Sequence, residues 1–241
     1  MALINFFTFK WGDKYGPEYV NRLYGSLRHH CREPFILNVI SDNFHGVDNS
    51  ITRIDYSNFD HFSFPKDQIF TREKLVLFKE FKEGINCWLD LDILIHDDIE
   101  FMFDYEFDKP KFIWNYWNDY NERSLRWYGK GSSCHVNSSF VAWKDNCGEY
   151  IYDYLYNNKE KAFFTYKSLD KFLFYQLHRK QQLDYWDKGI FSNYNREGFV
   201  EKGVVSLFNT SHLYNNKGIN EKAYELHEAK GWAEDVWKSY Y

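Results

Sequence analysis

The stretch that decides the fold is Trp88-Leu89-Asp90-Leu91-Asp92-Ile93-Leu94-Ile95, in which two aspartates interrupt an otherwise apolar run. In an extended strand, residues two apart point to the same side, about 6–7 Å apart along the chain. Two ionised carboxylates in an apolar setting are costly unless a cation or hydrogen-bond donors compensate them. A hard divalent cation does so and leaves positions for phosphate oxygens. The pattern therefore predicts a buried strand carrying a metal site, or a strand end where both carboxylates meet water or cap a turn.

Strands and helices alternate on either side of this stretch. Leu3 to Phe9 predicts a buried strand, Pro17 stands where a helix favours its first residue, and Phe35 to Ile40 predicts a second strand. This order is typical of an α/β fold with a mainly parallel, Rossmann-like sheet flanked by helices. Ligands bind such sheets beyond the carboxyl ends of the strands.

The remaining elements follow from the same periodicities. Further strands are predicted over Ile51 to Ile54, Lys111 to Asn115, Ser139 to Trp143 and Val204 to Phe208. Further helices are predicted over Arg72 to Phe81, Gly148 to Tyr156, Ser168 to His178, and Glu221 to Trp237 with a break near Gly231. A polar loop is predicted over Asn209 to Gly218.

Length and composition limit the class of protein. A chain of 241 residues with 44% hydrophobic and 27% charged residues suits one globular domain. A net charge of -5 argues against a general nucleic-acid binder. No apolar run approaches the roughly 20 residues of a membrane span, and with no signal peptide a cytoplasmic location is expected. The four cysteines suit free thiols or two disulfides equally well.

The order of several motifs resembles one enzyme class. Trp88 to Asp92 is similar to the Asp-x-Asp strand of GT-A fold glycosyltransferases, including the family-8-like group related to glycogenin. Phe7 to Gly16 resembles the first strand and donor loop of a bacterial and viral branch, and Ser41 to Asn43 resembles the segment closing its second strand. Lys74 matches a basic residue ahead of the Asp-x-Asp strand, and His135 to Ser139 resembles the segment lining the sugar pocket.

The resemblance implies a fold, an activity and partners. The fold is a single GT-A domain over residues 1–241, with a nucleotide-binding half (1–95), an acceptor and sugar half (96–218) and a C-terminal helical segment (219–241). The activity is metal-dependent transfer of a sugar from a nucleoside diphosphate donor to a glycan or other hydroxyl acceptor. Uridine diphosphate is the expected carrier, with guanosine diphosphate as the alternative. Mn²⁺ is the expected ion, with Mg²⁺ as the alternative.

The resemblance also assigns residues. The metal ligands are Asp90, Asp92 and a third from a late loop, either His212 or Asn209. Contacts to the nucleotide sugar are implied for Thr8, Trp11, Tyr15, Asp42, Lys74, Leu91, Asn137 and Ser138. Structural roles are the alternatives for several of them, such as covering the sheet edge for Trp11, holding a turn for Asp42, or a solvated helix position for Lys74.

Two departures from the family pattern concern the reaction centre. The late segment lacks the Lys-Pro-Trp that follows the family's metal-binding histidine, and Asp170 is not accompanied by the glutamine common in retaining members. Asp170 is the carboxylate expected nearest the anomeric carbon. It would act as a base in an inverting reaction or stabilise a cationic sugar in a retaining one, and the resemblance favours retention. As a residue at a helix N-terminus, it would alternatively serve only the helix dipole.

Two other functions fit the same residues. A sugar-nucleotide hydrolase or nucleotidyltransferase would use the same grip on the diphosphate. A carbohydrate-binding protein would use the aromatic residues, 22% of the chain, to hold glycans without turnover.

Overall fold

The central element is a seven-stranded sheet with strand order β3-β2-β1-β4-β7-β6-β8. The structure is a computed structural model that describes residues 3–59, 61–62, 70–116, 134–166, 168–194, 203–208, 213–214, 220–221 and 225–240. Strands β1, β2, β3 and β4 are parallel, whereas β7 runs antiparallel to β4 and β6. The α/β class and the mainly parallel sheet flanked by helices are as the sequence predicts.

The described residues form strands in three sheets. The strands of the central sheet are β1 (Ile4–Lys10), β2 (Phe35–Ser41), β3 (Thr52–Asp55), β4 (Ile85–Leu89), β6 (Lys111–Trp114), β7 (Val136–Lys144) and β8 (Asp184–Tyr185). A second sheet, in the order β5-β10-β9, contains β5 (Ile93–Ile95), β9 (Phe191–Asn193) and β10 (Val205–Leu207). A two-stranded ribbon pairs β11 (Leu213–Tyr214) with β12 (Asn220–Glu221).

Helices cover both faces of the central sheet. The α-helices are α1 (Pro17–His30), α2 (Leu77–Glu80), α3 (Glu149–Asn157), α4 (Lys159–Thr165), α5 (Leu169–Gln176) and α6 (Trp232–Ser239). Short 3₁₀ helices span Tyr56–Phe59, Phe70–Val76, Glu100–Phe103, His178–Lys180 and Leu226–Glu228. Among the described residues, no helix combines the length and apolar character that a membrane span requires.

Alternating residues of β1 face two separate cores. Phe6 packs in the core that contains α1 and α6, and Phe7 packs in the core that contains α3 and α5. This alternation is the period of two expected of a strand buried on both faces. It explains why the central strands are continuously apolar in sequence.

The Trp88 ring lies at the centre of the second core. It is fully buried against Phe78 and Trp143, with ring centroids 5.1 and 5.8 Å away. Its indole N–H donates a hydrogen bond of 2.6 Å to the carbonyl of Ser138 on β7. A buried indole usually finds such a partner, and this one ties β4 to β7 where the two strands approach the polar edge of the sheet.

The stretch from Trp88 to Ile95 is not one continuous strand; of the two alternatives that the sequence left open, the strand end at the aspartates is the one observed. Strand β4 ends at Leu89, Asp90 to Asp92 form a turn, and β5 begins at Ile93 in the second sheet. Asp90 N–H donates to the carbonyl of Ser139 (2.8 Å), and the carbonyl of Asp92 accepts from Phe208 N–H (2.9 Å). The chain therefore leaves one sheet for the other at the acidic pair.

Two predicted helices also differ from the structure. The segment predicted as a helix over 72–81 is a 3₁₀ helix followed by the short α2. At the C-terminus the break at Gly231 is confirmed by its φ of 61°, a conformation that favours glycine. The α-helix starts only at Trp232; before it, Glu221 lies in β12 and Leu226–Glu228 form a 3₁₀ helix. The predicted loop over 209–218 lies largely outside the described residues, apart from β11.

The cysteines are all free thiols, so the two-disulfide alternative is excluded. Cys87 is fully buried on β4, and burial raises the pKa of its thiol well above the ordinary value. A thiol in such a setting acts as a small apolar side chain of the core.

Candidate functional site

Polar side chains gather where β1, β2 and β4 end. These strands are parallel, so their carboxyl ends share one edge of the sheet. The residues just beyond them include Trp11, Asp42 and Asp90. This edge is where ligands bind open α/β sheets.

The acidic turn places two carboxylates, Asp90 and Asp92, at this edge. Burial and, to a smaller extent, the neighbouring charge of Asp90 raise the pKa of Asp92 to about 7, while Lys14 and Lys74 act in the opposite direction. The ionised form of such a carboxyl would be stabilised by a bound cation.

Two side chains contact the acidic turn directly. The Lys74 ammonium, on the 3₁₀ helix before α2, forms an ion pair with Asp90 and is almost fully buried. The Tyr15 hydroxyl donates to Asp92 Oδ2 over 3.3 Å. Burial and the charge of Asp92 raise the pKa of Tyr15, so the phenol stays protonated as a donor. The structure thus brings four of the expected site residues into direct contact.

A second carboxylate centre lies on the α5 side of the turn. The N–H and the hydroxyl of Ser138 both donate to Asp170 Oδ1, over 3.1 and 2.6 Å. Burial raises the pKa of Asp170 to about 6, against the hydrogen bonds from Ser138 and the charge of Lys74. The hydrogen bonds from Ser138 and the charge of Lys74 both favour the ionised form of Asp170. Ser168, not Asp170, caps the helix by accepting from Lys171 N–H.

The other expected site residues occupy varied positions. Thr8 is fully buried and its hydroxyl donates to the carbonyl of Leu89 over 2.8 Å, so it supports β4 from within the sheet. Trp11 is half-buried, with its ring 6.1 Å from Phe9. Asp42 is exposed and accepts from Gly12 N–H over 3.3 Å, which links the loops after β1 and β2.

Leu91 and Asn137 are both buried. Leu91 lies between the two aspartates and packs in the core that contains α1. The Asn137 amide oxygen accepts from Ser139 N–H over 2.8 Å, which fixes the side chain locally. The Asn137 backbone lies beside Ile113 of β6, at the end of the sheet where Ser138 meets Asp170.

The donor set near the turn suits a hard cation. Asp90 and Asp92 offer carboxylate oxygens, the ligands that Mg²⁺ and Mn²⁺ prefer. One carboxylate oxygen of Glu225, a residue whose charge acts on Tyr15, is buried and has no hydrogen-bond partner among the described residues. Within the described ranges, no three His, Cys, Asp or Glu side chains come together to hold a metal ion. His212 and Asn209, the alternative third ligands, lie outside the described residues.

Two residues at this edge were not expected from the sequence. Lys10, the last residue of β1, is only 6% exposed. The sequence feature that could have drawn attention to it is a charged residue at the end of an apolar strand. Glu225 lies near enough to Tyr15 for its charge to act on the phenol. The C-terminal segment returns to α1 here, where His227 Nδ1 lies 2.7 Å from the Tyr19 hydroxyl. Nothing in its polar sequence neighbourhood distinguishes Glu225.

Comparisons with known proteins identify the fold. No family model matches this sequence, and no curated protein matches it. Among solved structures, the chain is similar to galactosyltransferase LgtC in complex with donor and acceptor sugar analogs, with a TM-score of 0.60 and 11% identity over 98% of this chain and 94% of that one.

Two further structures share the fold over part of their length. Glycosyltransferase GlyE of Streptococcus pneumoniae TIGR4, in its apo form, matches with a TM-score of 0.58 and 12% identity over 99% of this chain and 59% of that one. The bifunctional glycosyltransferase WbbM, also apo, matches with a TM-score of 0.62 and 8% identity over 99% of this chain and 49% of that one. The fold is therefore the GT-A fold of glycosyltransferases.

Proposed function

We propose that this protein is a glycosyltransferase that moves a sugar from a nucleoside diphosphate to a hydroxyl group of a glycan or other acceptor. The observation that carries the proposal is the Asp90–Asp92 turn, placed at the carboxyl edge of a GT-A sheet with Lys74 and Tyr15 in contact with it. A carboxylate pair whose ionised form a cation would stabilise is suited to binding a diphosphate through that cation.

The ion in this proposal is Mn²⁺, with Mg²⁺ as the alternative. Asp90 and Asp92 would hold it, together with a ligand from the segment that contains Asn209 and His212. When bound, such an ion supplies positive charge that stabilises a departing diphosphate. Lys74, paired with Asp90, adds a fixed positive charge on the same side of the turn.

The nucleoside in this proposal is uridine, and its base packs against Tyr15. The ring of Tyr15 is half-buried beside Asp92, and Lys14 lies over it, with Nζ 4.5 Å from the centroid. Trp11 and the exposed carboxylate of Asp42 stand on the adjacent loops, within the same edge. An aromatic face and a carboxylate acceptor are the groups that a base and a ribose require.

Asp170 is the carboxylate that we place at the anomeric carbon, with retention of configuration, as the family resemblance implies. Its ionised form is supported by two hydrogen bonds from Ser138. A fixed negative charge at this point would stabilise a sugar that develops positive charge as the diphosphate departs. The Ser138–Trp88 contact holds this carboxylate to the same strand that ends in the acidic turn.

One assay tests the proposed function. The protein is mixed with Mn²⁺ and a panel of sugar nucleotides, and nucleotide release is measured with and without glycans. We expect release that depends on both the metal and an acceptor. Release that acceptors leave unchanged would favour the hydrolase, and glycan binding without release would favour the carbohydrate-binding protein.

Removal of the Tyr15 ring should weaken donor binding. We expect Tyr15→Ala to reduce the affinity for UDP by about 1–3 kcal/mol, the range for base stacking on an aromatic residue. Tyr15→Phe keeps the ring but removes the hydrogen bond to Asp92, so it separates stacking from that bond. Calorimetric titration with UDP measures both, and Tyr156→Ala, at an exposed tyrosine on α3, is the control. Normal UDP binding by Tyr15→Ala would place the base elsewhere.

A further inference from the structure

The ring of Tyr15 packs against a second tyrosine, Tyr19. Tyr15 lies two residues before α1 begins, and Tyr19 lies in the first turn of that helix. The two ring centroids are 4.8 Å apart, and Tyr19 is only 4% exposed. Because the Tyr15 hydroxyl also bonds to Asp92, the side chain of Tyr15 is held at both ends, by Tyr19 at the ring and by the acidic turn at the oxygen.

Tyr19 is in turn held by the C-terminal segment, residues 225–240. His227 Nδ1 lies 2.7 Å from the Tyr19 hydroxyl, and the two residues are 208 positions apart in the sequence. Burial raises the pKa of Tyr19 to about 12, against a hydrogen bond from the His227 backbone, so the phenol keeps its proton at neutral pH. Trp237 of α6 packs against the same ring, with the centroids 5.4 Å apart.

The turn that carries this histidine is itself fixed. The Glu225 side chain accepts from the Glu228 N–H, and the Glu228 side chain accepts from the Glu225 N–H over 3.2 Å, which forms a capping box around the 3₁₀ helix Leu226–Glu228. The charge of Glu225 acts on both Tyr15 and Tyr19, so this turn lies close to the two rings. A chain of contacts therefore runs from the C-terminal segment through Tyr19 to the tyrosine that contacts the acidic turn.

We propose that Tyr19 and His227 are positioning residues for the donor nucleotide, which hold Tyr15 at the acidic turn so that the C-terminal segment contributes to nucleotide affinity. This inference rests on the proposed function, in which the base packs against Tyr15. A side chain that is already held in place loses less conformational freedom when a ligand binds. The freedom of one side chain corresponds to about twofold to tenfold in affinity.

Calorimetric titration with UDP in Mn²⁺ measures the effect. Tyr19→Phe removes the hydroxyl but keeps the ring beside Tyr15, and His227→Ala removes the imidazole from an exposed position. We expect each variant to bind UDP about twofold to tenfold more weakly than the parent. The double variant should bind UDP about as well as the weaker of the two single variants, because both changes remove the same hydrogen bond. His227→Asn, whose amide can place a polar atom near the position of Nδ1, should restore most of the parent affinity.

A second comparison, in the Tyr15→Ala background, tests the route of the effect. If Tyr19 acts through Tyr15, Tyr19→Phe should weaken UDP binding no further there, whereas a general loosening of the fold would weaken it in both backgrounds. In steady state, Tyr19→Phe should raise the KM for the sugar nucleotide and leave kcat nearly unchanged, the pattern of lost ground-state binding. Tyr154→Phe, which removes a 2.8 Å hydrogen bond to Gln176 between α3 and α5, is the control for lost stability alone and should bind UDP like the parent.

The results separate this inference from the proposed function. Parental UDP binding in both Tyr19→Phe and His227→Ala would make the contact purely structural. Equal weakening by Tyr19→Phe with and without the Tyr15 ring would show that Tyr19 acts by another route. Either result overturns the inference alone, because the parent still binds UDP. If the parent binds neither UDP nor GDP, the proposed function fails and the inference fails with it.

Discussion

Asp92→Asn should abolish sugar transfer and leave the metal-free fold at least as stable as the parent. The substitution removes a carboxylate from the pair proposed to hold the cation, and stabilisation of a leaving group by a metal is worth several kcal/mol, or about 10³-fold in rate. The fold should tolerate it, because Asp90 and burial already oppose the ionisation of Asp92. Initial rates of nucleotide release and a thermal melt measure the two effects.

The control for this prediction is the same substitution at an exposed site. Asp153→Asn lies on the outer surface of α3 and should leave both rate and melting temperature unchanged. Parental activity in Asp92→Asn, or full activity of the parent in excess chelator, would rule out the metal-dependent reaction.

Asp170→Asn should reduce kcat by about 10²- to 10⁴-fold, the range for losing a positioned carboxylate at the reaction centre. In the parent protein, the plot of kcat against pH should also fall on the acid side. Since the pKa of Asp170 lies at about 6, the ionised form is lost as the pH falls through 6. The rate should then drop about tenfold per pH unit, and this limb should be absent in Asp170→Asn.

Ser138→Ala tests the same assignment through the pH profile. Hydrogen bonds from Ser138 favour the ionised form of Asp170, so removing the hydroxyl should raise the pKa of Asp170. The acid limb of kcat should move to higher pH while the rate at pH 8 changes little. A limb that stays in place, or a fully active Asp170→Asn variant, would reduce Asp170 to a structural residue.

The sequence predicts the first half of the fold well, because the chain there follows simple periodicities. Strands β1 and β2 are apolar runs bounded by polar turns, and Pro17 stands at the first position of α1. Each of these signals is local, so no knowledge of distant contacts is needed to read it.

The change from one sheet to another at the acidic turn could not be predicted from the sequence. Apolar residues continue on both sides of Asp90 and Asp92, because β4 and β5 are buried in two different sheets. The partners that end β4 and begin β5 are Ser139 and Phe208, which are remote in the chain. A pattern within eight residues carries no information about such partners.

The candidate site, like the fold, could be predicted from the sequence only in part. The order of motifs in the sequence predicted Lys74 and Tyr15 as site residues, and in the structure both contact the acidic turn. The hydroxyl of Thr8, another expected ligand contact, donates to the carbonyl of Leu89, a partner that the sequence did not indicate. The burial of Lys10 could not be predicted, since a lysine that follows an apolar strand gives no local sign of being enclosed.

The position of Trp88 makes it an intrinsic fluorescent probe of the candidate site. Its indole is shielded from water and bonded to Ser138, which in turn holds Asp170, and two residues further along the chain is Asp90. Fluorescence from such a ring lies at short wavelength and responds to nearby charge. Subtracting the emission spectrum of a Trp88→Phe variant from that of the parent would isolate this ring from the other eight tryptophans. Titrating nucleotide and metal against that difference would follow occupancy of the edge in real time, without any label.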